Sequence, residues 1–265
     1  MTHTPFRHCR FERDGAIATI TLDRPEVLNA LHPEAHYELA RAFDLYAAEP
    51  DLHVAIITGA GDRAFRVGTD LKALATTQDQ DKPPTGFAGI TMRYDLWKPV
   101  IAAVNGPCLG GGVEIRAACD LAIAADHAEF GLPEPRVGLA ALGGGALQRL
   151  ARDLPMKHAM GLVLTGRRIS SAEAMRIGLV NDVVPQPNSR RGCARCRRTA
   201  GLRAAFAPGV QAGDVAKPRR ARSRVGNEQT ISGGGAHAGE RRRARRSESV
   251  RRETQAPVER SLKRR

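Results

Sequence analysis

Nothing in the 265 residues approaches the ~18–20 uninterrupted apolar residues that a membrane-crossing helix requires. The opening MTHTPFRHCR carries charges with no apolar stretch behind them, so neither insertion nor a secretion signal is expected. Cysteine is sparse: Cys9, Cys108, Cys119, Cys193 and Cys196 form an odd, scattered set, too few for a disulfide framework. They read as reduced thiols, and the expected setting is the cytoplasm. The chain also lacks GxxxxGK[ST], and no GxGxxG follows the first strand, which excludes the two common phosphate-cradling turns. No internal repeat is present.

What the chain does have is 42% hydrophobic and 26% charged residues, enough for a globular core. Its net charge of +13 suggests a nucleic-acid binder until it is divided along the sequence. Residues 1–187 carry 19 Lys and Arg against 22 Asp and Glu, whereas 188–265 carry 22 against 6. The basicity therefore belongs wholly to the tail.

Before that tail, hydrophobic periods can be read. Cys9 and Phe11, a turn at Asp14-Gly15, then Ile17, Ile20 and Leu22 predict a hairpin. Pro33 and Glu34 open a helix carrying Leu39, Phe43 and Leu45, and Val54 to Gly59 (VAIITG) reads as a buried strand. Lys98 to Val104 is a strand closed by Asn105-Gly106. A helix over Gly111 to Cys119, a strand over Asp120 to Ala125, and helices over 147–152, 156–164 and 171–177 follow. Alternating strands and helices predict an α/β layout.

Two glycine-bearing turns stand out. Ala64 to Lys72 (AFRVGTDLK) follows the VAIITG strand and enters a helix at Asp70. Asn105 to Asp120 (NGPCLGGGVEIRAACD) sets Gly110, Gly111 and Gly112 at a helix start, with Glu114 in the first turn. A helix N-terminus exposes unpaired N–H groups at the positive end of its dipole, which suits an oxygen gaining negative charge. Two such turns facing each other would form an oxyanion hole. Read alone, glycines in such connections equally serve positive φ or close packing.

The segments LDRPEVLNAL, AFRVGTDLK, NGPCLGGGVEIRAACDLAIAADHAEFGLPEPRVGL, QRL and LTGRRISSAEAMRIGLVNDVV, in this order over about residues 22–185, resemble the crotonase superfamily of enoyl-CoA hydratases, enoyl-CoA isomerases and carnitinyl-CoA dehydratase. The resemblance implies a spiral of ββα units. It implies an acyl-CoA substrate, with no metal or separate cofactor. The thioester oxygen would be held by the backbone N–H groups of Val67 and Gly111. Glu114 would act as base on water attacking the β-carbon, and Glu134 as acid toward the α-carbon. Ala30, Gly68, Thr69, Asp70, Leu71 and Gly110 match the positions that surround the substrate and its CoA. Both glutamates being present favours hydration over isomerisation, with isomerase and carnitinyl-CoA dehydratase as the alternatives.

Some positions depart from the pattern. Arg66 and Val67 stand where small residues are common; Arg66 reads as a solvated arginine, or as one that reaches a CoA phosphate. The stretch LAALGGGALQRL lacks the proline-glycine of many hydratases and carries Leu142. His127 and His158 read as structural or surface histidines, and Trp97 as packing beneath the acyl pocket or core.

The larger departure is the tail. Family members continue with helices that cover the active site and build a trimer or dimer of trimers, and nothing after Pro187 resembles them. Arg, Ala, Gly and Ser dominate instead, a composition expected to be disordered. Arg252 to Arg260 (RETQAPVER) back-translates with permitted codons to CGA GAA ACG CAA GCC CCC GTG GAG CG. One base later this reads Glu-Lys-Arg-Lys-Pro-Pro-Trp-Ser, similar to the family's usual ending. The residues from 188 onward therefore read as a frameshift product, which would impair activity and leave apolar core faces exposed. As an authentic arm the tail would bind nucleic acid or an acidic partner, with a non-catalytic crotonase-like domain as its platform. Its lone aromatic, Phe206, supplies little base stacking for nucleic acid, and its lone CxxC little for zinc.

Overall fold

Asp14 and Gly15 reverse the chain between β1 (Cys9–Asp14) and β2 (Ile17–Leu22), setting Cys9 opposite Leu22 in an antiparallel pair. The structure, a computed structural model, describes residues 5–70, 81–140 and 143–185. Leu71, Leu142 and the tail with Cys193, Cys196 and Phe206 lie outside these residues. The helix expected after Asp70 does too.

Local signals explain most elements. Helix α1 (Pro33–Ala48) starts where Pro33 needs no hydrogen-bond acceptor, and the His32 side chain accepts from Ala35 N–H at 3.3 Å. Its inner face buries His36, Leu39, Phe43 and Tyr46. Strands β3 (Val54–Gly59) and β4 (Val100–Val104) are buried along their whole length, as central parallel strands covered on both faces are. Next come β5 (Cys108–Leu109), α2 (Gly111–Ala118), β6 (Leu121–Ala125) and β7 (Glu129–Gly131). Helices α3 (Ala146–Asp153) and α4 (Met156–Thr165) precede β8 (Arg168–Ser170), α5 (Ser171–Arg176) and β9 (Asp182–Val184). Ser170 caps α5 by accepting from Glu173 N–H at 3.2 Å.

One sheet runs β1-β2-β3-β4-β6-β9, parallel after its first pair; the other runs β5-β7-β8. The chain passes from one to the other and then into a helix, β4 to β5 to α2, and β6 to β7 repeats the crossing. This is the expected α/β spiral. Alternate residues of the larger sheet feed two cores. Ala55, Ile57, Ala102 and Val104 pack with Leu39 and Phe43 of α1, and Val54, Ile56, Ile101 and Ala103 join Ile17 on the opposite face. Helix α4 presents Met156, Met160 and Leu164 outward. No helix among the described residues is long and apolar enough to cross a membrane.

Two readings change. The short strands β5, β7 and β8 were not legible, because two or three residues show no period. Trp97 is 46% exposed and does not pack beneath the core; neighbouring Leu96 takes the buried position. Cys9, Cys108 and Cys119 are free thiols, and burial pushes Cys9 up to about 12.

Asn105 ties the ends of β3 and β4 together. Its side chain accepts from Gly59 N–H at 3.1 Å and donates to Gly59 O at 2.9 Å and Gly61 O at 3.0 Å. Asn105→Ala strands these backbone groups and is expected to cost about 3 kcal/mol. A lower urea midpoint at unchanged slope would measure it.

Candidate active site

The two glycine-bearing turns are brought side by side by backbone pairing. Arg66 bridges Cys108 in parallel: Arg66 N–H donates to Pro107 O at 3.1 Å, and Leu109 N–H to Arg66 O at 2.9 Å. Val67 therefore follows Arg66 just as the chain beyond Leu109 turns into α2. Gly110 makes that turn with φ +54°, and Gly68 leaves the other with φ +124°, backbone conformations that a side chain would strain. Among the described residues, neither Val67 N–H nor Gly111 N–H donates a hydrogen bond within the chain. Gly111 opens α2, where helix geometry leaves such groups free.

Both glutamates converge here. Glu114, 4% exposed in the first turn of α2, accepts from Gly144 N–H at 2.7 Å. The glycine run after Leu142 thus positions this carboxylate, a role its lack of proline-glycine did not suggest. Arg149 anchors the same run by donating to Gly144 O at 2.7 Å and to Thr91 O. Glu134 opens a short 3₁₀ turn (Glu134–Val137), and its Oε1 would lie 2.8 Å from a Cβ added at Gly110. Its Oε2 is buried without a hydrogen-bond partner among the described residues. Burial, reinforced by the charge of Glu114, holds the Glu134 carboxyl above the usual carboxylate range, against the opposing pull of its own backbone hydrogen bond and Arg66.

The residues matched to substrate and CoA contacts gather beside the first turn. Leu31 bridges Thr69, accepting from Asp70 N–H at 3.0 Å and donating to Gly68 O at 3.2 Å. Ala30 is fixed by Arg24 Nη1 donating to its carbonyl at 2.6 Å, and Arg24 Nη2 lies 3.0 Å from Asp70 Oδ2. Ala30, Gly68, Thr69 and Asp70 are thus held in one place, whereas Leu71 is outside the described residues.

Arg66 is the largest correction. It is neither solvated nor extended toward a CoA phosphate: it is 0% exposed, and its Nε, Nη1 and Nη2 have no hydrogen-bond partner among the described residues. Its Cζ lies 4.1 Å from the Phe87 ring centroid, and Lys82 Nζ is 5.3 Å from the same centroid. Phe87 is held from α1, where His36 Nδ1 accepts from Ala88 N–H at 2.8 Å. Burial first, then Arg66 and Lys82, push His36 down to about 2, so it is a neutral acceptor. The cue in the sequence is a charged residue between Phe65 and Val67, in a segment that otherwise has the character of core.

A further cluster, His8, His32 and Glu34, brings three ligand atoms within 4.8 Å of one another. Glu34 is exposed and His32 Nδ1 already caps α1, so it offers a metal no more than a surface site.

A family model described as enoyl-CoA hydratase/isomerase matches residues 12–199. A carnitinyl-CoA dehydratase of Salmonella arizonae is 49% identical over 177 residues, 66% of this chain and 67% of that protein. One from Escherichia coli K12 is 47% identical over 176 residues, with the same shares covered. Among solved structures, a carnitinyl-CoA dehydratase from Mycobacterium avium aligns with TM-score 0.71 at 34% identity, covering 92% of this chain and 91% of that one. An enoyl-CoA hydratase from Mycobacterium tuberculosis aligns with TM-score 0.67 at 30% identity, covering 86% and 94%.

Proposed function

Because the chain belongs to the enoyl-CoA hydratase/isomerase family, we propose that it adds water across the double bond of a trans-2-enoyl-CoA, or eliminates it in reverse. The observation that carries this reading is the convergence of two differently placed carboxyl groups on two backbone N–H groups that find no acceptor among the described residues. Val67 and Gly111 N–H would hold the thioester oxygen as it becomes an enolate, and the dipole of α2 would favour the same charge. Glu114, held by Gly144 N–H, is disposed as the base that takes a proton from water as its oxygen bonds to the β-carbon. Glu134, raised by burial, is disposed as the acid that gives its proton to the α-carbon as the enolate collapses. The proton that Glu114 takes from water replaces, on the pair, the one that Glu134 gives up, and its passage from Glu114 to Glu134 resets both carboxyls. Ala30, Gly68, Thr69, Asp70 and Gly110 would surround the thioester and its CoA. The acyl-CoA and water suffice for this chemistry, with no metal or redox cofactor.

The test is turnover of a trans-2-enoyl-CoA by the full chain in D₂O. The expected product is a 3-hydroxyacyl-CoA carrying one deuterium at its α-carbon. Migration of the double bond without uptake of water would overturn hydration in favour of isomerisation. Dehydration of a carnitinyl thioester is a second reading, favoured by the names of the relatives at 47–49% identity. A homotrimer or dimer of trimers would follow only for a chain with the family's C-terminal helices, and sedimentation at the 28.6 kDa mass of one chain would accord with their replacement here.

A further inference from the structure

The other buried arginines among the described residues, Arg93 and Arg116, each face a carboxylate. Arg93 donates to Gly89 O at 3.0 Å and Ala40 O at 3.1 Å, with Asp44 Oδ1 2.7 Å away. Arg116 Nε and Nη1 make no hydrogen bond among the described residues, but its charge is paired with Asp153 at 3.6 Å. Arg66 is different: fully buried, it has three guanidinium nitrogens without a hydrogen-bond partner, and no ion pair, among the described residues. A desolvated cation with unused donors is strongly disfavoured unless an anion joins it.

Its position says where that anion comes from. A Cβ on Gly111 would lie 2.1 Å from Arg66 Nη1, so the guanidinium sits against the residue whose N–H faces the proposed thioester oxygen. Phe87 lies below it, with Lys82 on the same ring. Lys82 also borders the glycine run that holds Glu114, 3.5 Å from a Cβ placed on Gly143. Glu114 and Glu134 act on Arg66 through space, yet neither hydrogen-bonds to it. Glu114 is engaged by Gly144 N–H instead.

Resting on the acyl-CoA reading above, we propose that Arg66 receives a carboxylate carried by the acyl group, so that the substrate is the CoA monothioester of a short dicarboxylic acid. The acyl chain is short because the guanidinium lies beside the oxyanion turn, not at the far end of a channel. Two oxygens of a carboxylate match the planar fork of a guanidinium. A neutral alkenoyl group would leave Arg66 unpaired. A carnitinyl group carries a quaternary ammonium, which would add a cation beside Arg66, where little water screens it. Burial lowers Arg66 to about 9, which leaves it charged at neutral pH.

Calorimetric titration of the full chain with saturated, unreactive thioesters tests this without requiring turnover. Glutaryl-CoA is expected to bind roughly 30-fold or more tightly than hexanoyl-CoA, the range for a buried charge gaining its partner. γ-Butyrobetainyl-CoA, with its quaternary ammonium, should bind weakest. Arg66→Met should bring glutaryl-CoA to the level of hexanoyl-CoA, and Arg66→Lys should keep part of the preference. Equal binding of glutaryl-CoA and hexanoyl-CoA by the unaltered chain overturns the carboxylate assignment while leaving the acyl-CoA reading intact. So does an Arg66→Met variant that weakens both alike. Failure of every CoA thioester to bind overturns both.

Discussion

Glu134→Gln is expected to lower hydration of a trans-2-enoyl-CoA by about 10²–10⁴-fold, with thioester binding held within a few-fold. Glutamine preserves the shape of the side chain beside Gly110 but has no acidic proton to deliver to the α-carbon. Because Glu134 Oε2 has no partner among the described residues, the exchange breaks no hydrogen bond to them at that atom. The loss should therefore appear in kcat and not in KM. Stability should move the other way. With its folded pKa raised, Glu134 binds more protons in the native than in the unfolded state between the two values. The wild-type protein consequently loses stability as pH rises through that window and keeps a constant penalty above it. The glutamine variant has no such penalty. Its melting temperature should equal or exceed that of wild type at neutral pH, with the difference vanishing below the ordinary glutamate pKa of about 4.3. Turnover within a few-fold of wild type would remove Glu134 from the chemistry.

Gly111→Ala is expected to cost about 10²–10³-fold in kcat, the range for losing one oxyanion donor. The added methyl would lie 2.1 Å from Arg66 Nη1 and 2.3 Å from Phe87 Cε1. Neither neighbour can withdraw cheaply. Arg66 is enclosed, and the Phe87 segment is tied to His36 of α1 through Ala88 N–H and to Thr91, whose Oγ1 accepts Phe87 N–H at 2.8 Å. The start of α2 must shift instead, carrying its N–H away from the thioester oxygen. Such overpacking also destabilises by about 1–3 kcal/mol, readable in urea unfolding. Gly15→Ala, in a turn where an added Cβ meets nothing within 4 Å, should unsettle only its own hairpin and spare turnover. A Gly111→Ala enzyme with full kcat would show that this N–H is not a donor to the reaction.

Much of this protein was legible in local pattern. The hairpin, α1, the VAIITG strand and the helix after the glycine triplet occupy the expected residues within one or two positions, because periodicity, caps and turns act over a few neighbours. The glycine turns and both glutamates could be singled out in the same way, with the family resemblance supplying their roles. The second sheet could not, since β5, β7 and β8 are too short to show a period and form only because distant segments pair with them.

Arg66 marks the boundary between the two kinds of information. Its side chain alone predicts a solvated surface group, and only the closing of α1, the Phe87 turn and α2 around it removes water. Contacts between other distant segments set Gly144 N–H on Glu114 and desolvate Glu134. Identity and order of the chemical groups are written along the chain. Their charge states and partners depend on what is buried against them, and burial is decided by contacts between residues far apart in sequence.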